Sequence, residues 1–145
     1  MALRHTATGY WLDEAGPAEP RPPLAEDLSA DVVVVGGGYT GLWTAWHLKQ
    51  LAPDARVVLL ESRLAGEGPS GRNGGFVNAL WLWLPAMRER FGDGPARALA
   101  LAAQSSVDAI GDFCADQGVD AWYRRGGYMR VSTAPAWDGD CADVL

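Results

Sequence analysis

Four valines, Val32 to Val35, run directly into three glycines, Gly36 to Gly38, and another glycine follows at Gly41. That junction constrains the fold more than any other stretch. A β-branched, wholly apolar run of this length reads as a strand buried on both faces. Glycines directly after it let the chain turn tightly out of the strand. Leu42 to Leu51 then carries apolar residues at helical spacing (Leu42, Ala45, Trp46, Leu48), and Pro53 closes the helix. A second apolar run, Val57 to Leu60, ends in the acid Glu61. Strand, glycine turn, helix and strand within about thirty residues predict a βαβ unit with parallel strands.

Each residue type has a mechanical reason. Gly36 permits the tight exit from the strand. Gly38, lacking a Cβ, lets a pyrophosphate approach the backbone. Gly41 lets the helix pack close to the strand. The helix N-terminus presents N–H groups and the positive end of its dipole to the phosphates. Glu61 stands at the tip of the second strand, twenty residues after Gly41, where a carboxylate accepts hydrogen bonds from ribose hydroxyls. The same charge repels a 2′-phosphate, which disfavours NADP. A lone Gly-x-Gly-x-x-Gly is weak evidence. One that follows a strand, opens a helix and is completed by an acid at this distance is a dinucleotide signature.

A second glycine-rich stretch follows at once. Ser62 to Phe76 contains five glycines, too many for a regular element. Its Gly and Ser residues allow backbone N–H groups to converge on an anion. Arg72 offers a charged fork to a phosphate or carboxylate, and Asn73 donates and accepts at once. We read it as a second cofactor loop rather than as a linker.

These motifs together resemble the start of FAD-dependent oxidoreductases of the D-amino acid oxidase superfamily, in the glycine/D-amino acid oxidase-like, gamma-glutamylputrescine oxidoreductase-like branch. Val33 to Glu61 is shared with many flavin and NAD families. Ser70-Gly71-Arg72-Asn73-Gly74-Gly75 is the discriminating part. The Tyr10-Trp11-Leu12 arm with its prolines also fits the branch, and the resemblance covers nearly the whole chain. It implies FAD as cofactor and an amine or amino acid as substrate, oxidised by hydride transfer to flavin N5. It places Gly36, Gly38 and Gly41 at the pyrophosphate, with Tyr39 and Thr40 completing that loop. It places Glu61 at the adenosine ribose, with Ser62 and Arg63 beside it. Ser70, Gly71, Arg72, Asn73, Gly74 and Gly75 run along the pyrophosphate and ribityl chain toward the flavin ring. It identifies no catalytic base among these residues.

The fold class implied is α/β, the N-terminal part of a Rossmann-like FAD-binding domain. A doubly wound fold needs several parallel strands with helices on both faces, and only two strands are legible. The chain therefore reads as the front of a longer protein. Its expected organisation is an extended Pro-rich arm over 1–30, an incomplete FAD-binding domain over 31–120 and the start of a substrate domain over 121–145. Pro17, Pro20, Pro22 and Pro23 argue against helix in the arm, and Tyr10, Trp11 and Leu12 are its expected anchor.

Phe76 to Leu84 is a dense apolar and aromatic run, expected in the core and ended by Pro85. A long helix is expected from Gly94-Pro95, with Asp93 as its cap. Ala96, Leu99, Ala100, Ala103, Val107, Ile110 and Cys114 form its apolar face, and Gly118 ends it. Trp122-Tyr123-Arg124 and Tyr128 to Ser132 flank Arg125-Gly126-Gly127, a hairpin signal. Arg124, Arg125 and Arg130 are more simply solvated charges than substrate contacts. Thr133-Ala134-Pro135 reads as the cap of a further helix.

With 48% apolar and 21% charged residues the chain can build a core. A net charge of −6 without a basic patch gives nucleic acid or anionic lipid no footing. Cys114 and Cys141 have no metal-ligand spacing. No apolar run approaches a signal sequence or a membrane span, so a cytoplasmic protein is the default. Two other function classes compete with the flavoenzyme: a nucleotide-binding module without turnover, and an NAD-dependent dehydrogenase. The second glycine loop argues against the dehydrogenase.

Overall fold

The computed structural model describes residues 9–129, 131–136 and 139. It opens on a helix, α1 (Tyr10–Ala15), where the proline content predicts an extended arm. The reason is local. All four prolines follow the helix, and Gly16, at φ 83°, ends it before the first of them. The residues between α1 and the first strand are irregular.

β1 (Val32–Val35), α2 (Tyr39–Leu51) and β2 (Val57–Leu60) form the expected βαβ unit. The strands are parallel, and Val32 pairs with Val57 through to Val35 with Leu60. The register is pinned at both ends. At the start, the Arg56 N–H donates to Asp31 Oδ2 at 2.8 Å. At the finish, the Gly36 N–H donates to the Leu60 carbonyl at 2.7 Å. α2 stops at Leu51, one residue before its Ala52 cap and two before Pro53. On its surface Trp43 and His47 stack with ring centroids 5.6 Å apart, a packing pair.

β1 is not buried on both faces. Val32 and Val34 are half-buried, whereas Val35 is 82% exposed. α2 packs on the first face: a Cβ placed on Gly41 would lie 3.3 Å from Val34 Cγ1. Val33, Val58 and Leu60 line a shallow groove on the other face with Leu24 and Leu28.

Residues up to Gly75 form one compact unit and those from Phe76 another. In the second unit a turn of 3-10 helix (Trp81–Trp83) leads into α3 (Leu84–Phe91), which packs on α4 (Asp93–Asp116). The buried cluster here is Leu84, Ala96 and Ala100, with Met87 against it. Phe76, Val77, Leu80, Trp81 and Trp83 are exposed, so of the aromatic run only its last residue, Leu84, belongs to the core. Pro85 opens α3 rather than ending an element, because a first-turn residue needs no N–H partner. Asp93 is not a cap either. It is the first residue of α4, with Gly92 at the cap position, and its carboxylate pairs with Arg88 at 2.7 Å.

The apolar face of α4 follows the expected spacing. Ala96 and Ala100 are buried, Ala103, Val107, Ile110 and Cys114 half-buried, and Leu99 exposed. At the C-terminus the Val119 N–H reaches the Cys114 carbonyl and the Gly118 N–H the Ala115 carbonyl, with Gly118 at φ 63°. That is a Schellman stop, and it requires the glycine.

The hairpin expected after α4 is absent among the described residues. Trp122 sits at φ 55°, which no strand residue adopts. The segment docks on α4 instead. The Tyr123 hydroxyl donates to the Val107 carbonyl at 2.9 Å, and Arg125 pairs with Asp108 and Asp112 at 3.3 and 3.1 Å. Side-chain bonds to the helix thus take the place of strand pairing. Arg130 lies outside the described residues, and of the helix expected from Thr133-Ala134-Pro135 only Pro135, Ala136 and Gly139 are described, in 3-10 conformation. Among the described residues no helix is long and apolar enough to cross a membrane.

Candidate functional site

The site is built where β1 gives way to α2. Gly36 leaves the strand at φ 102°, a conformation costly for any residue with a Cβ. Gly41, one turn into α2, returns so close that a Cβ there would lie 2.0 Å from the Gly36 carbonyl oxygen. Helix start and strand end are therefore in backbone contact, as the glycine spacing requires. The amides of Tyr39, Thr40 and Gly41 fall in the first helical turn, where no intrahelical carbonyl is in reach. Tyr39 N–H donates to Ser70 Oγ at 2.9 Å. The first intrahelical bond closes from Leu42 N–H to the Gly38 carbonyl at 3.0 Å.

Glu61, at the tip of β2, faces this turn. Its Oε2 accepts the Gly37 N–H at 2.7 Å. Its Oε1 accepts the Arg63 N–H and the Ser62 hydroxyl, both at 3.1 Å. The Gly37 amide, then the Arg63 amide and the Ser62 hydroxyl, hold this carboxyl below the usual glutamate range. An ionised carboxylate has about four acceptor sites, so these bonds leave room for a ribose hydroxyl. Gly37 itself is buried.

The second glycine loop docks on the first. Gly66 N–H donates to the Gly37 carbonyl at 2.9 Å. A short 3-10 turn (Pro69–Gly71) brings Ser70 under the start of α2. A Cβ on Gly38 would meet Ser70 Oγ at 2.9 Å, so the two loops nearly touch there. Asn73 ties its own loop together. Its Nδ2 donates to the Ser70 carbonyl at 2.6 Å and to the Tyr39 hydroxyl at 3.0 Å, and its Oδ1 accepts the Gly75 N–H at 2.7 Å. Gly71 is buried, and a Cβ there would lie 2.2 Å from the Gly66 carbonyl oxygen.

The two cations point elsewhere. Arg72 Nε donates to the Glu67 carbonyl at 3.1 Å. Arg63 pairs with the Glu67 carboxylate at 3.2 Å. Thr40 and Gly74 are exposed at the margins. Gly36, Gly38, Tyr39, Gly41, Glu61, Ser62, Arg63, Ser70, Gly71, Asn73 and Gly75 thus form one connected patch. Residues that motif reading left out are Gly37 and Gly66, whose backbone groups join the loops, and Trp11. The Trp11 Nε1–H donates to the Asn73 carbonyl at 2.9 Å. The aromatic cluster at the arm was its signal in the sequence.

The described residues contain no group of His, Cys, Asp or Glu able to hold a metal ion. What the patch offers chemically is a cradle: a helix N-terminus, glycine backbone and an anchored carboxylate. Those donors suit a dinucleotide with its phosphates at α2 and a ribose at Glu61.

Comparison with known proteins gives the family. Residues 31–144 match the family described as FAD dependent oxidoreductase. Gamma-glutamylputrescine oxidoreductase of Escherichia coli is 37% identical over 124 residues, which cover 85% of this chain and 28% of that protein. A probable oxidoreductase OrdL of Rhizobium meliloti is 32% identical over 121 residues, 81% of this chain and 28% of the relative. Sarcosine oxidase subunit beta of Rhizobium meliloti is 32% identical over 114 residues, 70% of this chain and 26% of the relative. The chain thus spans under a third of the length of these relatives. No solved structure matches it. With the match running from the first strand almost to the last residue, the chain belongs to the D-amino acid oxidase superfamily of FAD-dependent oxidoreductases.

Proposed function

We propose that this chain is the FAD-binding portion of an oxidoreductase that oxidises the C–N bond of an amine or amino acid. The observation that carries the reading is the docking of the Ser70–Gly75 loop on the Gly36–Gly41 turn, joined by the Tyr39 N–H to Ser70 Oγ bond. An NAD site needs only the first of these loops, whereas a cofactor that continues past its pyrophosphate uses both. The named amine and amino-acid oxidoreductases among the relatives support the substrate class.

Bound FAD supplies a hydride acceptor, at flavin N5, for the C–H beside the substrate nitrogen, and the imine product hydrolyses. The residues of this chain bind and orient it. The α2 N-terminus, with the Thr40 and Gly41 amides, faces the pyrophosphate. Gly38 keeps the backbone approach clear. Glu61, held ionised by the Gly37 amide, accepts from the adenosine ribose. Ser70, Asn73 and Gly75 lead toward the flavin end. Substrate, in this reading, is a small amine or amino acid.

The test is spectral. The full-length protein is purified, its flavin absorbance recorded, and its bleaching followed anaerobically with a panel of amines and amino acids. Yellow protein bleached by one of them supports the proposal. Colourless protein that binds ADP supports a nucleotide-binding module without turnover, and NADH-linked activity a dehydrogenase. Gly38→Val drives a branched side chain against Ser70, whose Oγ is 2.9 Å from where the Cβ would stand, and parts the two loops at the start of α2, so it abolishes flavin binding while helical circular dichroism persists. A fully flavinated Gly38→Val protein would overturn the joint role of the two loops.

A further inference from the structure

α1 lies on the second glycine loop through three separate points. The Trp11 indole N–H donates to the Asn73 carbonyl at 2.9 Å. The indole also covers Gly75, where a Cβ would lie 2.4 Å from ring carbon Cζ2. Gly75 adopts φ 77°, so both its conformation and its cover exclude a side chain. Gly9, at the head of α1, sits over the Gly71 carbonyl, which a Cβ on Gly9 would meet at 2.4 Å. Leu12 packs beside Gly71, its Cγ 3.6 Å from where a Cβ there would stand.

The residue that Trp11 grips is the one that organises the loop. The Asn73 side chain bonds the Ser70 carbonyl, the Gly75 amide and the Tyr39 hydroxyl. Its backbone carbonyl belongs to Trp11. A loop with glycines at 71, 74 and 75 has large conformational freedom to lose on binding. A contact that removes this freedom beforehand raises affinity without touching the ligand.

We infer that Trp11 is a positioning residue for the cofactor: it fixes the Ser70–Gly75 loop in the shape that receives the flavin end of FAD. The inference rests on the FAD reading above. It has two parts, the indole N–H bond to Asn73 and the ring cover of Gly75. Trp11→Phe removes the first together with the Cζ2–Cη2 edge over Gly75, and keeps a smaller aromatic ring. Trp11→Ala removes both.

The experiment uses the full-length apoprotein, titrated with FAD and, separately, with ADP. ADP reports the ribose and pyrophosphate end at Glu61 and α2, while FAD also reports the second loop. Hydrogen exchange of the amides from 70 to 75 is followed alongside. Losing one hydrogen bond weakens FAD binding about two- to tenfold in Trp11→Phe. Trp11→Ala weakens it further. ADP affinity falls less than FAD affinity in both, and exchange speeds up at residues 70–75 but not in β1 or β2. If Trp11→Ala fails to fold, Trp11→Phe alone carries the comparison. FAD affinity equal to wild type in the folded variants overturns the role of Trp11 and leaves the cofactor reading standing. So does an equal loss of FAD and ADP binding, which marks Trp11 as a general stability contact. Wild-type protein that binds neither FAD nor ADP overturns the cofactor reading itself, and the inference with it.

Discussion

Replacing Gly41 with alanine should separate the packing role of this glycine from every general effect of losing one. The added Cβ would stand 2.0 Å from the Gly36 carbonyl oxygen, where ordinary contact begins at 3.4 Å. The helix start must therefore back away by roughly 1.4 Å, since close-packed interiors offer no slack at this scale. Gly36 cannot yield instead. Its N–H is bonded to Leu60 at 2.7 Å and its φ of 102° is fixed by the turn. The displacement strains or breaks the bond from Tyr39 N–H to Ser70 Oγ. Overpacking of this kind costs about 1–3 kcal/mol, and a lost hydrogen bond adds about 1 kcal/mol. Alanine in place of glycine in a helix returns about 1 kcal/mol.

The net expectation is a loss of about 1–3 kcal/mol, a sizeable fraction of the ~5–15 kcal/mol that holds a domain folded. Equilibrium urea unfolding reads it as a lower midpoint at unchanged slope. Flavin binding should fall with it, because the displaced amides belong to the phosphate cradle. Gly68→Ala is the matched control. Gly68 has an extended backbone, precedes Pro69, and has open space where a Cβ would go, so its change should stay within about 0.5 kcal/mol. Equal midpoints for Gly41→Ala and wild type would refute the contact argument. So would an equal loss in Gly68→Ala.

Glu61 carries a pH signature: its folded carboxyl titrates below the usual glutamate range because of the Gly37 amide. Its stabilisation is thus fully present above that range and lost as pH falls through the lowered folded value. Acid unfolding should show the gap between wild type and Glu61→Gln closing toward low pH; a gap independent of pH would contradict this. Gly111→Ala should destabilise by about 1–3 kcal/mol in thermal or urea unfolding although Gly111 is inside α4, because a Cβ there would lie 2.5 Å from the Tyr123 ring. Tyr123→Phe should cost about 1 kcal/mol through the lost bond to the Val107 carbonyl, again read by unfolding.

What the sequence made legible is what neighbours in the chain decide. The βαβ unit follows from a valine run, a glycine turn and an apolar helix period. The end of α4 follows from one glycine at 118. Even the contact of Gly41 with the strand end at Gly36 follows from spacing, because five residues on, one helical turn brings the chain back to where it left. The misreadings share a cause too. Proline content taken over the whole of 1–30 hid a proline-free segment long enough for α1. Asp93 next to a helix start looks like a cap, but Arg88, five residues back, competes for its carboxylate. Arg125-Gly126-Gly127 is a valid turn signal, yet Arg125 has two aspartates on α4 within reach, and no local rule ranks a turn against an ion-paired docking.

The same limit explains why candidate residues could be proposed one by one and still not be assembled. Tyr39 and Ser70 are 31 residues apart, and Trp11 and Asn73 are 62 apart. Nothing in local spacing says that a serine will fall under a particular amide, or that an indole will reach a particular carbonyl. What does carry over such distances is the absence of side chains. Gly41 against Gly36, Gly71 against Gly66, Gly9 against Gly71 and Gly75 against Trp11 are four places where a Cβ would stand within 2.4 Å of another atom. Only the first of them lies inside the Gly-x-Gly-x-x-Gly turn. The other three fix how the second loop folds and what covers it, so the glycines of this chain mark close approaches as often as they mark turns. A glycine in a loop that must receive a ligand is therefore better read as a request for a partner surface than as a flexible link, and at Gly75 that surface is Trp11.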